Sequence, residues 1–537
     1  ALEVDPDNKD ALYHKGLAYA ELGRFEEAIE ILTKTLEATP NIANAWLIRG
    51  FCLFAVERFS EAVLSYANAL ELESDNPHTW FYKGRAHISL GNDEDAIVAF
   101  DRALTLVPEF GEAFHYKGIA LFRLKRLPEA AAAFTEANRI MPDFTEAFLE
   151  NGRTLSLLGR FREAVPAFEQ VLAAHPKDLS AAYGLARALD HLGSYKEAIA
   201  AYTKVNRISP DCERAYLYKG FAQMLSHAYE DAVASFSRVL EINPTNAEAW
   251  QEKGRALVIL EKYNKAVEAF DGFLAIKPDV PEVLYEKGLA LTRQDRSEEA
   301  YEVFSRCIEL GLNTADVHTE QALSLFRLER YEEVIPAADR ALALDPQESR
   351  ALLAKGDSLT YLKRFEEAIA AFDSVLSRDL ENERAHRGRG LALVRLARYE
   401  DAIIELDRAL ENDTTNTELL SCKGYSLYRL ARYKEAVESL GRSLKRKHQN
   451  PTALLFRGKA YLRLGQGADA RSMFEKLIAL DAKHVKGWYY KGVALSSMNL
   501  HEEALAAFED TLSFDETCAP GWYNRARELG TLGRYEE

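Results

Sequence analysis

Covalent or metal chemistry would have to come from this chain's twelve histidines, five cysteines and many carboxylates, and none of them stands at the spacing such chemistry needs. Zinc takes Cys or His in close pairs, or HExxH on one helix. The sequence has neither pattern, and Cys52, Cys212, Cys307, Cys422 and Cys518 lie far apart. Scattered single thiols suit a reducing compartment, so a cytoplasmic location is expected. No GxxxxGK[ST] loop is present; Gly388 and Gly390 make an isolated GxG, and Gly465 and Gly467 fall in a turn. Glu27, Glu61, Glu163, Glu197, Glu299, Glu333 and Glu367 share one 34-residue register, which marks them as scaffold rather than as catalysts. With no nucleophile–base pair or oxyanion site in view, the chain is expected not to be an enzyme and to carry no cofactor and no catalytic or metal residue.

Recognition without bond-making has better raw material. In the register of Leu17 stand Arg85, Arg153, Arg187, Arg255, Lys459 and Arg527 against one acid, Asp357. In that of Glu21 stand Arg123, Arg293, Arg327, Arg395, Arg429 and Arg463, with Glu21 the single acid. Interleaved are Phe51, Phe54, Phe81, Phe122, Tyr183, Phe221, Tyr285, Phe326, Tyr361 and Tyr428. Twelve cations to two anions run against a formal net charge of −17. One reading is a basic, aromatic-studded surface for acidic or amphipathic peptides, since arginine and aromatic side chains are the usual interface anchors. Its candidate residues are Phe81, Arg85, Phe122, Arg123, Arg153, Arg187, Phe221, Arg255, Arg293, Phe326, Arg327, Arg395, Tyr428 and Arg429. The other reading is an internal ladder, with Arg123 on Glu146 or Glu150 and Arg293 on Asp316 or Glu320. Exposed pairs of that kind contribute only about 0–1 kcal/mol each.

The elements that must position these side chains are set by glycine. Gly16, Gly50, Gly84, Gly118, Gly152, Gly220, Gly254, Gly288, Gly356, Gly390, Gly424, Gly458 and Gly492 recur every 34 residues, with Ala186, Ala322 and Ala526 keeping the phase. A unit that short cannot bury a core alone, so neighbours must stack. In residues 9–42, Leu12, Tyr19 and Leu22 mark one helix and Ala28, Ile29, Leu32 and Leu36 a second, with Gly23-Arg24 between them and Pro40 at the end. Two such helices form an αα-hairpin. The glycine is expected to face the small residue twelve positions on (Ala28, Ala62, Ala96), beside a bulky plug four further on, such as Phe100, Phe134 or Phe236. A cation precedes nearly every glycine, as at Lys15, Lys83 and Lys355, and reads as a stem covering helix contacts with its head in water or on a carboxylate. Residues 311–340 depart most, with Gly311-Leu312, Ala322, Val334 and Ala338 in place of Pro, Gly, Ala and plug, and are expected to form the softest joint. The terminal proline is lost at Leu312, Leu380, Thr414, His448, Ala482 and Glu516, which predicts less uniform turns in the second half. Pro166 and Pro336 are placed near the start of their second helices.

Trp80, Gly84, Ala96, Phe100, Ala103 and Pro108, repeated as Trp250, Gly254, Leu257, Ala266, Phe270 and Pro278, resemble the tetratricopeptide repeat (TPR) family over the whole chain. The resemblance implies an all-α, αα-hairpin solenoid wound as a right-handed superhelix, first helices lining a concave groove that binds protein or peptide segments. Two of the family's specialised schemes do not carry over. No repeat has the lysine–asparagine pair of the carboxylate clamp, and only Asn524 holds the asparagine-ladder phase.

The 537 residues then divide as the end of a preceding repeat at 1–8, fifteen repeats at 9–518, and the first helix of a sixteenth at 519–537. The ragged ends read as an excerpt from a longer protein. No apolar run approaches the roughly 20 residues of a membrane helix, and the acidic balance argues against nucleic acid. The leading expectation is a protein-interaction scaffold. A recruiting arm for a catalytic domain outside this segment, or a solenoid that self-associates head to tail, are its alternatives.

Overall fold

A computed structural model describes residues 8–537, and among them are thirty-one α-helices and no strand. First helices such as Lys9–Glu21 and Ala247–Ile259 alternate with second helices such as Phe25–Ala38 and Tyr229–Ile242. The expected segment 1–8 lies outside the described residues except for Asn8, whose side chain accepts from the Ala11 N–H and caps the first helix. Asn76, Asn246, Asn382, Asn416 and Asn450 cap later first helices in the same way. Second helices have no side-chain cap of that kind. Nine of the fifteen open on an arginine that grips the acid three residues on, as Arg58 with Glu61 at 2.7 Å and Arg432 with Glu435 at 2.6 Å. The recurrent glutamates are therefore the scaffold partners of this turn, and the Arg58 hydrogen bond holds the Glu61 carboxyl below the usual range.

Between the two helices one residue adopts the left-handed conformation. Gly23, Gly91 and Gly159 do so without steric cost, but Ala397 (φ 60°) and Ala431 (φ 59°) pay the clash of Cβ with the backbone. Ala397→Gly and Ala431→Gly are each expected to raise stability by about 0.5–1 kcal/mol, the strain relieved exceeding the extra unfolded-chain entropy of glycine. Urea midpoints at unchanged slope measure this, and no gain at either site would show the turn to be unstrained.

The chain divides into two compact units, residues 1–262 and 263–537, with the boundary inside the repeat 247–280. In each unit every helix packs on its neighbours in sequence, and first helices also touch the first helix of an adjoining repeat. In the second unit such contacts run without a break from Pro281–Thr292 to Val485–Ser497, while second helices make no contact of that extent with one another. In the second unit the first helices therefore form the more crowded face of the stack.

The glycine's partner differs from expectation. A Cβ on Gly84 would lie 2.6 Å from Cε1 of Phe100, and one on Gly220 2.5 Å from Cε1 of Phe236. The hollow over the glycine is thus filled by the plug sixteen residues on, not by the alanine twelve on. Ala96 and Ala232 are buried beside it. The plug's second face meets the next repeat, again sixteen residues on. Tyr66 stacks on Tyr82, Phe100 on Tyr116 and Phe474 on Tyr490, with centroids 6.2, 6.3 and 5.7 Å apart. Where that next residue is Gly184 or Gly388, a Cβ would strike the ring of Phe168 or Phe372.

At 311–340 both helices form, Ala315–Arg327 and Tyr331–Leu344, around Ala322, Val334, Ala337, Ala338 and Ala341 with no ring among them. Of the second-half units named as lacking the terminal proline, two have shortened second helices, Ser297–Glu309 and Phe365–Leu376. Three of the others keep their turn because Asp413, Asp481 and Asp515 accept the N–H two residues on. Pro166 and Pro336 lie at the sixth residue of Phe161–Ala174 and Tyr331–Leu344, past the first turn, so each helix lacks one internal hydrogen bond.

Candidate peptide-binding face

The predicted residues do not all reach the inner surface. Phe81, 7% exposed, is core, packed on Phe100, Phe110 and Tyr116. It stands three residues before Gly84, one helical turn away and on the same face, so it leans on the plug rather than outward. Tyr285 does the same on Phe304, centroids 5.9 Å apart, and burial pushes its hydroxyl up to about 12. His115 holds the equivalent place in its repeat, buried against Phe134 and Phe144, and desolvation pulls it down to about 4. Phe122, Phe221, Phe326 and Tyr428 are half-buried at the rim of the first-helix face.

Three of the six cations of the Leu17 register are held by rings. Arg85 lies over Phe54 at 5.1 Å and Tyr116 at 4.9 Å, Arg187 over Tyr218 at 4.0 Å, and Lys459 over Tyr490 at 4.8 Å. In each case one of the rings comes from the next repeat, 31 residues on, a cross-repeat bond that reading one register at a time does not reveal. Arg153 and Arg255 turn to glutamates of their own helices, Glu150 at 2.8 Å and Glu252 at 2.6 Å. Asp357 is taken by Arg384 at 2.6 Å, and burial still raises its carboxyl.

The Glu21 register behaves differently. Its arginines stand at the last residue or C-cap of the first helices, where the helix field favours a cation by about 0.3–1 kcal/mol. The expected ladder is not made. Arg123 donates to the Ile88 carbonyl at 3.0 Å and lies 3.7 Å from Asp93, in the preceding repeat rather than the following one. Asp316 and Glu320 both hold Arg350 at 2.7 Å, not Arg293. Arg429 donates to the Tyr425 hydroxyl at 2.7 Å. Arg293, Arg327 and Arg395 are exposed and form no ion pair among the described residues. Between the last two stands Tyr361, 63% exposed, stacked on Tyr331 at 4.5 Å and edge-on to Phe326 at 6.0 Å. Contacts from Pro281–Thr292 through Ala315–Arg327 and Ser349–Tyr361 to Glu383–Arg395 put these residues on one continuous surface.

Helices in antiparallel pairs, repeated at 34 residues and stacked first helix to first helix, define an all-α solenoid of αα-hairpins. A tetratricopeptide-repeat model matches residues 1–43, 53–109, 95–143, 149–211, 252–311, 319–378, 353–417 and 457–521, and a second such model matches 235–268. The chain belongs to the tetratricopeptide-repeat family. Residues 395–477 also match a model described as anaphase-promoting complex, cyclosome, subunit 3. No curated protein matches the chain. Among solved structures, Naa15/Naa10 bound to HypK-THB is 12% identical with a TM-score of 0.37, covering 98% of this chain and 97% of that one. The hetero-tetramer Cut9–Hcn1 is 12% identical at 0.34, covering 91% and 96%. YrrB, described as a TPR protein with an unusual peptide-binding site, is 20% identical at 0.33, covering 36% and 98%. No helix among the described residues is long and apolar enough to cross a membrane.

Proposed function

We propose that this chain is a protein-binding scaffold that takes acidic or amphipathic peptide segments on the first-helix face of residues 263–537. The observation that carries the reading is a contrast between two sets of arginines. Those that open second helices, such as Arg330 and Arg432, hold a carboxylate at 2.6 Å. Arg293, Arg327 and Arg395 hold none, in a protein with 84 acidic residues to choose from. The helix-end field favours their charge but uses none of their N–H donors. Phe326, Tyr361 and Tyr428 supply aromatic surface beside them. Arg123, Arg153 and Arg255 of the first unit already have internal partners and are assigned a lesser part. The five unpaired cysteines support a reducing compartment such as the cytoplasm.

The test is the triple variant Arg293→Glu, Arg327→Glu, Arg395→Glu, titrated with acidic aromatic peptides selected by display against the full chain. The variant is expected to weaken binding by about 100-fold at low salt, each desolvated charge pair contributing on the order of 1.5 kcal/mol or more. Wild-type affinity should itself fall steeply with salt. Selected peptides that bind both proteins equally and ignore salt would overturn the reading.

A further inference from the structure

The cation that precedes each glycine has an addressee that repeats. Lys117 reaches Asp101 at 2.5 Å, Lys287 reaches Asp271 at 2.6 Å, Lys355 reaches Asp339 at 2.5 Å and Arg389 reaches Asp373 at 2.7 Å. Arg525 reaches Glu509 at 3.2 Å, Lys423 pairs with Asp407, and Arg49 donates to the Thr33 hydroxyl at 2.9 Å. Each partner lies sixteen residues earlier, on the second helix of the preceding repeat. In thirteen of the fifteen repeats that position carries a side-chain oxygen; the other two are Ala67, whose cation Lys83 lies over the Trp80 ring at 5.2 Å, and Gly441.

Arg457 is the cation left facing that glycine. A Cβ on Gly441 would sit 3.1 Å from its Nη2, so the guanidinium lies over bare backbone. Its Nε is buried with no hydrogen-bond partner among the described residues, and its guanidinium lies over the Tyr461 ring at 5.4 Å. The gap opens into a cavity of about 890 Å³ between the second helices Tyr433–Arg446 and Gly467–Leu480. Lys434, Arg442, Lys445, His448 and Lys476 line it with Arg457, and Glu438 is the single acid; Val437, Leu444, Leu454 and Met473 form the apolar part. Arg442 spends one N–H on the Thr414 carbonyl at 2.9 Å. The helix-end field explains a cation at Lys445, in the last turn of its helix, but not Arg457, which comes from the following first helix.

We propose that this cavity binds a phosphate-bearing small molecule, whose anion takes the place of the carboxylate that residue 441 does not supply. One carboxylate would neutralise Arg457 alone. Five lysines and arginines against one acid fit a multiply charged anion, and the planar guanidinium suits a bidentate phosphate. The site lies between two second helices and the first helix Pro451–Arg463 that carries Arg457, and it shares no residue with the peptide-binding reading.

Inorganic pyrophosphate is the probe, titrated calorimetrically into the full chain at low salt. Binding is expected with a Kd below about 1 mM. Gly441→Asp restores the residue type found at Asp407 and Asp373, so the fold should be kept and binding should weaken by at least about tenfold as the carboxylate competes for Arg457. Gln449→Asp adds the same charge nearby without facing Arg457, and should change Kd by less than about twofold. If Gly441→Asp does not fold, Arg457→Gln takes its place, with the same loss expected. No binding by the wild type at about 5 mM, or equal losses for Gly441→Asp and Gln449→Asp, which would mean a diffuse basic field, overturns the proposal.

Discussion

Phe236→Ala is expected to cost about 3–5 kcal/mol, the range for emptying a buried aromatic site that cannot collapse. Its ring is fully buried among Leu217, Ala232, Val239, Leu240 and Ala249, and it alone fills the hollow over Gly220. The backbone on either side is held by its own helix hydrogen bonds, so the hole can close only by moving whole helices. In a stacked array stability is a sum of unit and interface contributions, and loss of one plug should split a single urea transition into two. The partner substitution, Gly220→Ala, tests the same contact from the other side. Alanine is the better helix former by about 1 kcal/mol, yet its Cβ would fall 2.5 Å from the Phe236 ring. A net loss of about 1–3 kcal/mol is expected. A neutral or stabilising Gly220→Ala would sink the account of the glycine as room for the plug. Ala186 beside Tyr202 marks the lower end of that range, being an alanine the chain already houses in this phase.

How far these contacts could be read beforehand depended on whether they lie within one register or across two. Glycine, plug and terminal proline repeat as residue types, so hairpin, period and helix limits were visible in the letters. The aim of Phe81 was not, because a residue three before the glycine shares its face, and pattern alone does not say how wide the buried stripe is. The arginine registers were legible as charge, but several of their partners lie about 30 residues away in another repeat. Arg123 therefore met Asp93 instead of Glu146 or Glu150, and Arg85 met Tyr116. The vacancy opposite Arg457 is visible only once that sixteen-residue pairing is known, after which Gly441, with Ala67, stands out among acids and hydroxyls.

His386 and Glu405 form a second pairing of this hidden kind, and breaking it should have the next largest effect. The Trp46, Trp80 and Trp250 indoles, in the place of His386, each donate to the carbonyl six residues before, at 2.8–2.9 Å. His386 does likewise through Nε2 to Leu380 O at 2.8 Å, and its Nδ1 lies 2.6 Å from Glu405 Oε2. A carbonyl only accepts, so Nε2 carries hydrogen and one proton is shared between Nδ1 and the carboxylate. Glu405, 4% exposed, sits where most repeats have alanine, and Arg389 closes the group at 2.8 Å. Replacing His386 alone by tryptophan keeps the carbonyl contact but leaves a buried carboxylate with one partner fewer, and should cost about 3–5 kcal/mol. Glu405→Ala alone leaves Nδ1 unsatisfied, at about 1–3 kcal/mol. Made together, His386→Trp and Glu405→Ala rebuild the arrangement of the tryptophan-bearing repeats, and stability should return to within about 1 kcal/mol of wild type. Urea titrations of the four proteins close the cycle. Losses that simply add would mean that the imidazole and the carboxylate do not depend on each other, and that the tryptophan repeats are no guide to this one.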